Sequence, residues 1–292
     1  MKRIVTIAVL TIALAAAANA YTKRALVIGL GEQEDTSWGK INGDKDVLIV
    51  KEMLKTAGFS HITTLVNKQA TKAGIVSAFK RLASRCDKGD MVYVHFSGHG
   101  QQMTDINGDE RGIQKVGERD GLDEAWIPYD AYRKYGDKDH GEKHLSDDEI
   151  GELLTSVKEK VGSEGKILVV VDACHSGDGT RQATTADEVP TRGVWDNFVI
   201  PVEQSSGTAE RIEEKWITIS ACKSYQTNEE LKGKAVGKLT YALVDIIGSG
   251  EKLTNSEVGA RLRTFFLKNP SKKPQTPILT GATEDYNVTD IF

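Results

Sequence analysis

Short apolar runs and longer amphipathic stretches take turns along this chain. Residues 24–30, 61–66, 91–96, 167–171, 216–221 and 277–279 are runs enriched in β-branched or aromatic positions and bounded by glycine or polar residues, which predicts strands. Several carry almost no polar interruption, as in Ile167 to Val171, so both their faces are expected to be buried. Between them the apolar positions recur at helical spacing. Residues 44–57 place Val47, Val50, Met53 and Leu54 on one face and close at Gly58. Thr71 is placed to cap a second helix reaching about Arg85, and residues 147–161, 238–247 and 255–267 read as three more. Strands that alternate with helices predict an α/β fold, with a mostly parallel central sheet of about six strands and helices on both faces. Two connections exceed the usual length for such units: residues 98–144, charged and glycine-rich, and residues 177–214.

Chemistry concentrates where two core strands end. The 167–171 run stops at Asp172, Cys174, His175 and Ser176, and the 91–96 run stops at Ser97-Gly98-His99-Gly100. In open α/β sheets, ligands bind at the carboxyl ends of the strands. A free thiol, with a pKa of ~8.5, needs a neighbouring base to become a nucleophile near neutrality. His99, delivered from the other strand end, supplies that base to Cys174. His175 competes for the role, but a side chain adjacent in sequence points elsewhere as a rule. Glycines around His99 let backbone N–H groups come close to a substrate. Asp172, two residues before Cys174, puts an acid beside this pair.

Other polar features carry less. Cys222 follows the 216–221 strand without an accompanying histidine motif, and Cys86 ends an amphipathic helix; a Cys86–Cys222 disulfide is left open. His95 and His99 have the four-residue spacing of a zinc pair on a helix, but they stand on a strand and a glycine loop. Asp105, Asn107 and Asp109 begin like a calcium loop, which fails at Glu110 and Val116.

The first residues form a different pattern. Lys2 and Arg3 precede an uncharged run from Ile4 to Ala18, and Ala18-Asn-Ala20 has a small-x-small cleavage form. Residues 1–20 therefore read as a signal peptide, with export to the periplasm or medium and no membrane association once it is removed. Losing Lys2 and Arg3 would make the net charge of −4 more negative by two. An acidic chain without basic runs argues against nucleic acid as a partner.

Tyr93-Val-His-Phe-Ser-Gly-His99-Gly, followed about 75 residues later by Val171-Asp-Ala-Cys174-His-Ser-Gly, resembles the catalytic pair of the caspase-like cysteine peptidases, and most closely the metacaspase branch with its bacterial members. Residues 117–130, 145–149, 219–226 and 237–243 match further motifs of that family in order. The resemblance implies a caspase-like three-layer sandwich. Residues 21–177 would be its large-subunit-like part, 178–214 a mobile linker, and 215–292 its small-subunit-like part. It implies backbone N–H groups of Gly100 and Cys174 as the oxyanion hole, and Asp46 and Ser97 as pocket walls beside Asp172. The family has a cysteine where this chain has Gly43, so Asp44 rivals Asp46. Calcium-dependent relatives use acids that match Asp123, Asp147 and Asp148, although Arg181 stands at their fourth position. Calcium is thus an activator candidate, and no cofactor is needed for the chemistry.

These readings converge on an exported cysteine endopeptidase, working as a monomer on protein or peptide substrates. An enzyme that prefers aspartate offers basic groups to its substrate, whereas this site gathers acids. Cleavage after Arg, then Lys, is therefore expected. Two other readings share the fold: a catalytically weak binding or scaffold protein, and a transpeptidase or ligase on the same dyad. Arg181, Arg192 and Arg211, in the second long connection, are the expected sites of self-processing.

Overall fold

The computed structural model describes residues 21–108, 122–174, 189–194, 196–201 and 212–292. The signal-peptide reading of residues 1–20, and Arg181 and Arg211, lie outside them. Among the described residues no helix is long and apolar enough to cross a membrane.

The central sheet is the one the apolar runs predict. β1 (Lys23–Gly29), β2 (His61–Val66), β3 (Met91–Ser97), β7 (Lys166–Asp172), β8 (Ile217–Ser220) and β9 (Ile278–Gly281) form six strands in the order β2-β1-β3-β7-β8-β9. All pairs are parallel except β8 with β9. β3 is buried at every position, as a central strand covered on both faces must be. Alternate residues divide between two cores. Tyr93, Leu168, Val170 and Ile219 meet α1 (Gly43–Thr56), α4 (Lys238–Gly248) and α5 (Asn255–Lys268) on one face. Val92, Val94, Phe96 and Val169 meet α2 (Lys72–Arg85) and α3 (Asp147–Val161) on the other.

α2, α3 and α5 start at side-chain caps. The Thr71 hydroxyl accepts from the Gly74 N–H at 3.1 Å. Ser146 and Thr254 form capping boxes with Glu149 and Glu257, each contributing about 1 kcal/mol.

The connection from 98 to 144 holds structure that the apolar pattern does not predict. β4 (Gly100–Thr104), β5 (Leu122–Trp126) and β6 (Leu145–Ser146) build a small antiparallel sheet. Trp126 stacks on Phe96 of β3 with ring centroids 4.5 Å apart, fastening this sheet to the central one. Part of the supposed mobile linker also belongs to the fold. Phe198 is fully buried among Trp38, Met103, Ala125, Ile127, Ala131 and Val194. Its backbone N–H donates to the Gln102 carbonyl at 2.8 Å, and its carbonyl accepts from Thr104 N–H at 3.1 Å. Residues 196–201 are thereby laid on the edge of β4.

Candidate active site

β3 and β7 are neighbours, with Ser97 in register with Asp172. His99 and Cys174 each follow two residues beyond that last pair, so both leave the sheet at the same edge. His99 is nearly inaccessible. Its Nε2–H donates to the Gly39 carbonyl at 2.7 Å, and its ring stacks on Trp38 with centroids 5.0 Å apart. Because a carbonyl can only accept, Nε2 carries the hydrogen and Nδ1 is the basic nitrogen. Among the described residues Nδ1 has no hydrogen-bond partner. Burial pushes the imidazole down to about 4, against the pull of the Gly39 carbonyl. At neutral pH the ring is therefore uncharged and able to take a proton.

The Cys174 thiol donates to the Gln226 carbonyl at 2.5 Å. Cys222 approaches the same carbonyl at 3.5 Å. Its hydrogen bond with Cys174, and then burial, hold its thiol well above the usual range, which lowers its thiolate fraction. All three cysteines are free, so the Cys86–Cys222 disulfide is not formed.

The acids expected around the pair converge on a side chain of this same protein. Arg192 is fully buried, with its guanidinium between Asp46 and Asp172. Nη1 lies 2.8 Å from Asp46 Oδ2 and 3.5 Å from Asp172 Oδ1, and it donates to Ser97 Oγ at 2.5 Å. Ser97 in turn donates to Asp46 Oδ2 at 2.5 Å. On the other edge of the guanidinium, Glu230 Oε1 accepts from Nε at 3.1 Å and from Nη2 at 2.9 Å. A buried cation is tolerable only when it is paired and its donors are used, as here. Burial works against its charge, but Asp46, Asp172 and Glu230 together hold it protonated.

The backbone around Arg192 is equally fixed. Its carbonyl accepts from the Cys174 N–H at 2.8 Å, and its N–H donates to the Asn228 carbonyl at 2.9 Å. Thr191 pairs antiparallel with Glu229, and Gly193 pairs parallel with Gly100. Residues 190–193 thus lie as a short extended segment across the edge of the sheet, with one carbonyl on the backbone of Cys174. Both backbone groups expected at an oxyanion hole border this segment.

The two rival acids of α1 are placed differently. A side chain added at Gly31 would meet Asp44 Oδ1 at 2.4 Å, so Asp44 faces Gly31. Asp46, two positions further round α1, reaches Arg192. Gly43 has its own reason: a Cβ there would lie 2.3 Å from the Ser97 carbonyl oxygen. Glycine brings α1 against the end of β3.

Sequence reasoning missed Glu230 and Thr240, and it saw in Arg192 only a cut point. Glu230 lies in the polar stretch after β8, the next strand beside β7, so the rule of strand ends would have found it. Asp172 accepts from Asn228 Nδ2 at 2.8 Å, from Thr240 N–H at 2.8 Å and from the Thr240 hydroxyl at 2.6 Å. Thr240 is in the first turn of α4, and Gly237, its N-cap, donates its N–H to Asp46 Oδ1 at 3.0 Å. The positive end of one helix therefore serves both acids.

The acids considered for calcium are placed differently. Asp123 is buried on β5, Asp147 Oδ1 accepts from Glu124 N–H at 3.3 Å, and Asp148 Oδ2 accepts from Asn107 Nδ2 at 2.6 Å. Among the described residues no three acidic, histidine or cysteine side chains are grouped to hold a metal ion.

The caspase-domain family profile matches residues 22–286. Metacaspase-2 of Arabidopsis thaliana is 30% identical over 281 residues, covering 86% of this chain; the chain spans 59% of that relative. Metacaspase-1 of Mycosarcoma maydis is 24% identical, covering 87% of this chain and 69% of its own length. Among solved structures, a Geobacter sulfurreducens protein superposes with a TM-score of 0.61 at 22% identity, over 89% of this chain and 94% of its own. Caspase-1 of Spodoptera frugiperda superposes with a TM-score of 0.58 at 13% identity, over 89% and 86%.

Proposed function

Since the chain belongs to the caspase-domain family of cysteine peptidases, we propose that it is an endopeptidase that cuts after arginine, and more slowly after lysine, with Cys174 as nucleophile and His99 as general base and acid. The observation that carries this reading is Arg192. Its side chain fills the acidic pocket while its carbonyl rests on the Cys174 N–H, the pose that a substrate's cut-site residue needs.

In the reaction, Nδ1 of His99 takes the thiol proton and Cys174 Sγ attacks the carbonyl carbon. Backbone N–H groups of Cys174 and Gly100 receive the charge that develops on oxygen. His99 returns the proton to the leaving amine as the C–N bond breaks, leaving a thioester. Water, deprotonated by His99, then hydrolyses the thioester and regenerates the thiol. Arg, with a forked guanidinium, meets the acids on two edges; Lys offers one ammonium. The bond after Arg192 is itself a candidate for cleavage. The basic, apolar and small-residue order of residues 1–20 supports an exported enzyme.

The test is a set of reporter peptides that differ only in the residue before the cut, assayed beside Cys174→Ala. Turnover should follow Arg, then Lys, with none after Asp and none at all in Cys174→Ala. Mass analysis should find a fragment ending at Arg192 in the active protein only. Comparable turnover of the Asp-ended peptide would overturn the reading.

A further inference from the structure

Behind the pocket, Asp172 is joined to three buried side chains for which the proposed reaction has no use. Tyr93 Oη lies 2.9 Å from His95 Nδ1, and His95 Nε2 lies 3.2 Å from Thr240 Oγ1. Thr240 Oγ1 lies 2.6 Å from Asp172 Oδ2. Tyr93, His95, Thr240 and Asp172 are each fully buried. A histidine inside the central strand is costly, because an unbonded polar group in an apolar core loses several kcal/mol. Here both ring nitrogens are engaged.

The direction of every proton follows. Ionised Asp172 can only accept, so the Thr240 hydroxyl spends its single proton on Oδ2. The hydroxyl oxygen then accepts, and Nε2 of His95 must be the donor. A neutral imidazole has its second nitrogen free to accept, which Tyr93 O–H satisfies. Burial pushes His95 down to about 4, with the Asp172 charge opposing, so the ring is neutral. The other tautomer would draw the Thr240 proton to Nε2 and away from Asp172.

That choice matters to the pocket. Oδ2 takes two hydrogen bonds from Thr240, while Oδ1 is the oxygen nearer the guanidinium, 3.5 Å from Arg192 Nη1. Saturating Oδ2 fixes rotation about the Cβ–Cγ bond and presents Oδ1 to the entering cation without reorganisation. We propose that His95 is a positioning residue of this pocket: through Thr240 it orients the Asp172 carboxylate that receives the substrate's guanidinium. This rests on cleavage after arginine as proposed above.

The experiment compares His95→Phe, Thr240→Val, their double variant and Thr240→Ser on an Arg-ended reporter peptide, together with the ¹⁵N spectrum of the histidine rings in Cys174→Ala. Each of the first two should raise KM about tenfold, the effect of one lost buried hydrogen bond, with kcat within about twofold. The double variant should be no worse than Thr240→Val alone, because both break one line. Thr240→Ser, which keeps the hydroxyl, should restore KM, and His95 should show the Nε2–H tautomer. Unchanged KM in both single variants, additive losses in the double, or the Nδ1–H tautomer would overturn the proposal. If His95→Phe does not fold, the two threonine variants and the tautomer decide it. A wild-type protein that ignores Arg-ended peptides would sink the proposed cleavage; the tautomer would then decide this line of bonds alone.

Discussion

Two walls of the pocket present carboxylates to one guanidinium, yet they titrate in opposite directions. Asp172 ends β7 and Asp46 lies in the first turn of α1; both are fully buried. At Asp172 burial would raise the pKa, but Arg192 and the hydrogen bonds from Asn228 and Thr240 outweigh it and hold the carboxyl below its ordinary range. At Asp46 burial prevails over the pull of Arg192, the Asp172 charge adds to it, and the carboxyl is pushed up to about 6. The difference lies in what each carboxylate accepts. Asp172 receives three hydrogen bonds from Asn228 and Thr240, and Asp46 receives two, from Ser97 and Gly237. The β7 wall is thus a permanent anion, and the α1 wall an anion that the cation helps to create. Arg192 is the strongest influence lowering the Asp46 pKa, so a guanidinium in this place favours the ionised carboxylate.

Breaking the permanent wall should have the largest effect. In Asp172→Asn the amide nitrogen must face a donor, since Asn228 and both Thr240 groups donate to the carboxylate. The charge is lost and a buried donor is left unpaired, together on the order of 3–5 kcal/mol in the pocket. For Arg-ended peptides kcat/KM should fall at least about a hundredfold, with a lower melting temperature. A loss under about tenfold would mean that the two walls are equivalent.

How much of this contrast was readable beforehand depended on range. The strands, the helices and the two strand ends that carry His99 and Cys174 follow from local patterns: a buried run with a polar end, or apolar residues at helical spacing. Asp46 emerged as a pocket wall only through the resemblance, with Asp44 as a rival. What separates them is which side of α1 meets the sheet, fixed by the close approach of Gly43 to Ser97. The β4–β6 sheet was hidden because its strands are short, polar on one face and stabilised by distant partners such as Phe198. Arg192 was hidden for the opposite reason. A basic residue in a glycine-containing connection reads as solvated, and only three acids from separate parts of the chain, Asp46, Asp172 and Glu230, make its burial favourable.

The conditional wall should show itself in pH dependence. As pH falls through the Asp46 pKa, its carboxylate is protonated and kcat/KM for Arg-ended peptides should decline, with a midpoint at or above about 6. His99, held near 4, does not supply that limb. In Asp46→Asn activity should drop roughly tenfold at pH 7.5, the loss of one charged contact, and the limb near 6 should disappear. Stability carries the matching sign. Asp46, raised from 3.8 to about 6, contributes stability that is complete below 3.8 and lost as pH rises through about 6. Asp172, lowered, contributes stability above 3.8 that is lost as pH falls through its folded value. Asp46→Asn should therefore make stability rise more steeply with pH between these limits. Thermal melts at several pH values measure it, and an unchanged slope would contradict the contrast.

The smallest effect should come from Glu230, which belongs to the α1 side by attachment. Asn42, the N-cap of α1, donates its backbone N–H to Glu230 Oε1 at 2.6 Å and its side-chain amide to Oε2 at 2.5 Å. Oε1 also takes both Nε and Nη2 of Arg192. Lysine has no Nε, and its ammonium is one compact donor group that cannot span Glu230 and the Asp46–Asp172 gap in the same way. Glu230→Gln keeps an oxygen for the guanidinium but turns an amide nitrogen toward the Asn42 donor and removes one charge. Arg cleavage should fall about fivefold, the scale of one weakened charge-assisted hydrogen bond, and Lys cleavage less than about twofold. The Arg-to-Lys ratio therefore narrows while the order persists. Parallel rates on two peptides that differ only in that residue measure the ratio. If both fall together, Glu230 acts as background charge, and the forked contact to Nε and Nη2 does not set the preference.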